Sequence, residues 1–148
     1  MTITQIKNRY SGIQTLMKNF SDSSCNLLSL CTIIEEITNK PADLIGIVQW
    51  GRNTHVVNST KFVIDSDWTV NDNFAVLSKF TGKKKWRRTE VTELPKKIAD
   101  NQFTFEIWKK KPTDAAMHVK RRFVDTLINS QTVKNGQIVK YYIYEYLD

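Results

Sequence analysis

The chain has 148 residues, enough for one domain, residues 1–148, that buries roughly two-thirds of its unfolded surface, and its 41% hydrophobic and 25% charged content is ordinary for a globular protein. Leu44–Val48, the longest nearly unbroken apolar run, falls far short of a bilayer span, and Met1–Lys7 lacks the regions of a secretory signal, so an intracellular protein with no membrane partner is expected. The net charge of +7 is one-sided: residues 1–78 hold six Lys/Arg against seven Asp/Glu, and residues 79–148 hold sixteen against eight, which points to a polyanionic partner.

Ile3, Ile6, Tyr10, Ile13, Met17 and Phe20 recur every three or four residues and predict a helix over 2–20. A Ser/Asp capping run at 21–24 then opens a second helix over 23–38, with Leu27, Leu30, Cys31, Ile34 and Ile37 on its buried stripe, ending before Pro41. Together they predict an N-terminal helical hairpin. Cys25 and Cys31 sit six apart on that helix, about 9 Å of rise, too far for a disulfide. With only two His in the chain, a structural zinc site lacks ligands, and both thiols read as buried and reduced.

From Leu44 the pattern reads as strands: 44–50, then Val56-Val57 and Phe62–Ile64, then 74–77 after an Asn-Asp-Asn turn. Thr81-Gly82 reads as a turn leading to a strand at 86–91. Phe103, Phe105 and Ile107 alternate with polar residues as a half-buried strand, a long helix follows over 113–128, and Ile138–Leu147 closes the chain. The expected fold is therefore α+β: an antiparallel sheet of five to six strands, the N-terminal helical hairpin, and one long helix before the last strand.

Six of the ten residues in Lys79–Arg88 are cationic, and they are read as a β-hairpin tip carrying one Trp. Such crowding of like charge costs stability unless a polyanion neutralises it. Lys79, Lys83, Lys84, Lys85, Arg87 and Arg88 are assigned to phosphates, together with Lys109 and Lys110 at a strand end and Arg121 and Arg122 on a helix face. Trp86 is assigned to base stacking, with cross-strand packing as its alternative role. The Tyr142, Tyr144 and Tyr146 row is read as packing rather than as a stacking platform.

These features point to non-catalytic nucleic-acid binding, with RNA or single strands favoured and no cofactor. One alternative is a small viral or phage-type protein that inhibits a host protein through its basic face, its partner then being an acidic protein. Another is a metal-dependent nuclease using Asp65 and Asp67, although their spacing lacks a diagnostic third carboxylate. Neither His55 nor His118 has a sequence neighbour that suggests a Cys–His or Ser–His pair. Catalysis is accordingly the less favoured reading.

Overall fold

The computed structural model describes residues 2–13, 24–54, 69–127 and 130–148. Helix α1, Ile3–Tyr10, begins at a capping box: Gln5 N–H donates to Thr2 Oγ1 at 3.1 Å, and Thr2 N–H donates to Gln5 Oε1 at 2.7 Å. Helix α2, Ser24–Thr38, is apolar around most of its circumference, with Leu27, Leu28, Leu30, Cys31, Ile33 and Ile34 all buried. A helix of that kind belongs in the middle of a core. It stops at Asn39, whose φ of 56° caps the helix before Pro41.

The expected strand at 44–50 is instead helix α3, Leu44–Thr54. An apolar run of this length fits either structure by periodicity, and the cap decides. Asp43 Oδ1 accepts from Gly46 N–H at 3.0 Å, satisfying a first-turn donor that only a helix leaves open. The expected strand at 74–77 likewise lies within helix α4, Val70–Thr81. What reads as an Asn-Asp-Asn turn is its first turn, closed by a Thr69–Asp72 capping box. Asn73, Val76 and Leu77 then share the buried side. Gly82 is not a hairpin turn. It ends α4 at φ 77°, with its N–H donating to Ser78 O at 3.2 Å.

The strands are β1 (Trp86–Val91), β2 (Gln102–Lys109), β3 (His118–Arg121) and β4 (Gln137–Tyr146), and the short helix α5 (Gln131–Asn135) precedes β4. The expected helix over 113–128 does not form: β3 pairs with β2 there, and the chain turns back after it, Val124 N–H donating to Arg121 O at 3.2 Å. Tertiary pairing overrides a helical apolar stripe. The fold is thus α+β with a four-stranded antiparallel sheet, not five or six strands, and five helices among the described residues. The expected strands at 56–57 and 62–64, and Asp65, Asp67 and His55, lie outside the described residues.

Sheet order is β1-β4-β2-β3 with every neighbouring pair antiparallel. β1 and β2 therefore run parallel to each other on either side of β4. One sheet face carries Phe103, Phe105, Tyr144, Ile107 and Val119, all buried. The Tyr144 ring lies 4.9 Å from Phe105 and 6.1 Å from Phe74 of α4, and its hydroxyl accepts from Asn73 Nδ2 at 2.8 Å. The tyrosine row of β4 is thus packed under the helices at Tyr142 and Tyr144. No helix among the described residues is long and apolar enough to cross a membrane.

Candidate active site

Cys25 is the second residue of α2, in the first turn, where backbone N–H groups have no acceptor within the helix itself. β3 begins at His118, and the packing of α2 against β3 carries the two together. Deeper along the same contact, the Arg121 guanidinium reaches Glu36 Oε1 at 2.6 Å and Thr32 Oγ1 at 2.9 Å, which pins the strand against the helix. His118 is 6% exposed, and its Nε2 lies 2.7 Å from Asp125 Oδ1. Asp125 is itself held in place: its Oδ1 accepts Leu127 N–H at 3.0 Å, and its carbonyl accepts Gly12 N–H at 3.0 Å.

The Cys25 side chain also lies near the imidazole. Burial pulls the basicity of His118 down, but the bond to Asp125 and the neighbouring Cys25 side chain outweigh it and raise its pKa to about 9. The imidazolium is therefore the resident form at neutral pH. A thiol, an imidazole and a carboxylate thus lie in sequence, the residue types from which a nucleophile, its proton acceptor and an orienting group can be built. Cys31 contrasts with this: it is fully buried, and burial with the nearby Glu35 charge pushes its thiol up, so it stays protonated. Among the described residues no group of three His, Cys, Asp or Glu is arranged to hold a metal ion.

The basic residues singled out in the sequence do not form one surface. Lys79 is exposed in the last turn of α4, and Lys84 and Lys85 are exposed in the connection to β1. Lys83 and Arg88 are half-buried, with the Lys83 Nζ 4.8 Å above the Tyr146 ring and the Arg88 guanidinium 3.9 Å above that of Tyr142. Arg87 is exposed but ion-paired with Glu145. Trp86 is half-buried: its ring lies 5.6 Å from Tyr146 and 6.3 Å from Phe103, and its indole N–H donates to Lys83 O at 2.6 Å. These contacts are those of a packing residue.

Lys109 and Lys110 lie at the far end of β2, because Gln102 pairs with Glu145 beside Arg87 while Lys109 pairs with Gln137. At about 3.3 Å per residue the two basic groups are about 23 Å apart along the sheet. Arg121 is 5% exposed and committed to Glu36, so it is a core residue. Arg122 is exposed and borders a groove of about 410 Å³ at the β3 edge.

Sequence reasoning missed the Cys25, His118 and Asp125 grouping. The signal it held was a cysteine directly after a Ser-Asp-Ser-Ser capping run, which places a thiol at a helix start. No protein-family model, curated protein or solved structure matches the chain.

Proposed function

We propose that this protein is a thiol-dependent acyl-transfer enzyme that cleaves an amide, ester or thioester through Cys25. The observation that carries the reading is a buried histidine bonded to a carboxylate, with a half-buried thiol nearby. In this scheme the Cys25 sulfur attacks the carbonyl carbon while its proton resides on His118. The carbon–leaving-group bond then breaks, and His118 gives that proton to the departing nitrogen, oxygen or sulfur. Water next attacks the S-acyl carbon, His118 takes its proton, and the C–S bond breaks to return the thiolate as the carboxylic acid leaves. Asp125 fixes the orientation of the ring and stabilises the imidazolium throughout.

The test is alkylation of the intact protein with iodoacetamide, read by mass, beside a burst assay with p-nitrophenyl acetate. Cys25 is expected to be modified and Cys31 spared, with a burst matching the amount of protein. His118→Ala should slow alkylation by about tenfold or more. Labelling of Cys25 no faster than a free thiol, or unaffected by His118→Ala, rejects the proposal.

Non-catalytic binding of RNA or single-stranded DNA is the second reading, and one observation favours it. The N–H groups of Lys84 and Lys85 donate to the Asp148 carboxylate at 2.8 and 3.2 Å, so this turn already cradles an anion amid exposed lysines. Lys84→Ala with Lys85→Ala should flatten the log K versus log salt slope for an oligonucleotide by about one to two. An unchanged slope removes that reading.

A further inference from the structure

We infer that the groove at the β3 edge receives an acidic peptide segment of the substrate; the inference rests on the acyl-transfer reading for turnover but not for binding. Its position is set by Asp125. That residue lines the groove, and its carboxylate is also the one bonded to His118 at 2.7 Å. Asp125 is the link between the two: His118 and Cys25 are not among the described lining residues, and the groove reaches the imidazole through that carboxylate.

Its charge is lopsided. Lys7, Lys120, Arg122 and Lys134 come to the groove from three segments, namely α1, β3 with the turn after it, and α5, and Asp125 is the one acid among the described lining residues. Asp125 is neutralised by His118, and Lys120 is paired with Glu106 at 3.1 Å. Lys7, Arg122 and Lys134 are exposed, and none of the ion pairs among the described residues engages them. Three cations with no ion-pair partner among the described residues, gathered around one concavity, favour an anionic occupant.

The floor distinguishes a peptide from a nucleic acid. Val124, Leu127 and Val133 are aliphatic and offer no π-face. Phe123 is the one aromatic among the described lining residues, and the buried Arg121 guanidinium already lies 4.7 Å from its ring centroid. A base has little to stack on there, whereas an aliphatic side chain flanked by Glu or Asp matches both floor and rim.

Binding can be measured apart from chemistry by using Cys25→Ala. The probes are a fluorescein-labelled Glu-rich peptide containing Leu, and the same peptide with Gln at every Glu. The acidic peptide should bind more tightly, and added salt should weaken it. Arg122→Ala with Lys134→Ala should cost about five- to tenfold in affinity, the size expected from two exposed charge contacts. Equal binding of the two peptides, no binding of either, or displacement of the acidic peptide by oligo-dT at lower concentration than by itself overturns the inference. If the acidic peptide binds but wild-type protein shows no burst with p-nitrophenyl acetate, the groove assignment stands and the acyl-transfer reading fails. Turnover of Glu and Gln thioester peptides at equal rates has the reverse meaning.

Discussion

Replacing His118 by Gln provides a direct test of the Cys25–His118–Asp125 geometry, because it removes one titration from the folded state. The fold raises His118 from 6.5 to about 9. That corresponds to about 3 kcal/mol of preference for the imidazolium. Burial acts against the raise, the bond to Asp125 and the neighbouring Cys25 side chain act for it, and these two groups face the ring from the segment after β3 and from α2.

Below about pH 6.5 both folded and unfolded chains carry the proton, so the contribution is fully present. Above that value the unfolded chain releases it while the folded chain keeps it, and stability declines until about pH 9. Urea unfolding of wild type and His118→Gln across this window should show the wild-type advantage shrinking by about 3 kcal/mol as pH rises. Repeating the series in Cys25→Ser removes the sulfur, and the Asp125 bond alone should still hold the NMR midpoint of His118 above 6.5. A midpoint at or below 6.5, or a pH-independent difference between wild type and His118→Gln, refutes the assignment.

Two further substitutions separate structural from functional basic residues. Glu36→Ala strips the buried Arg121 of its carboxylate and should cost about 3–5 kcal/mol in urea unfolding, whereas Arg122→Ala should change stability by less than about 0.5 kcal/mol. Trp86→Ala removes a half-buried ring from Tyr146 and Phe103 and should lower stability by about 2 kcal/mol, read from the urea midpoint, while leaving any oligonucleotide affinity of the folded fraction unchanged.

How far the sequence discloses this molecule depends on which forces act locally. The β2 strand is legible because Phe103, Phe105 and Ile107 alternate with polar residues, and α2 because its capping run precedes an apolar stripe. Leu44–Trp50 is ambiguous by pattern, and only the Asp43 cap distinguishes helix from strand. The segment after Pro112 carries a true helical stripe, yet pairing of Val119 with Ile107 outweighs it. Charge runs mislead for another reason: adjacency in sequence says nothing of strand direction, and Lys85 and Lys109 end at opposite ends of one sheet. Cys25 and His118 are ninety-three positions apart, and their meeting is a product of α2 docking on β3, which no local pattern encodes.

The central place of β4 has a consequence for the order of events during synthesis. β1 and β2 have no hydrogen bonds to each other; each is stitched to β4, whose residues lie about fifty positions after those of β1. Closing so long a loop before any pairing is gained slows folding. The β1-β4-β2 part of the sheet consequently cannot assemble until residues 137–146 have left the ribosome, and until then β3 has only β2, without β4 behind it, to pair with. His118 therefore reaches Cys25 late. A nascent chain carries its thiol without the neighbouring imidazole, so the chemistry proposed for the finished protein would be withheld from the polypeptide while it is still being made.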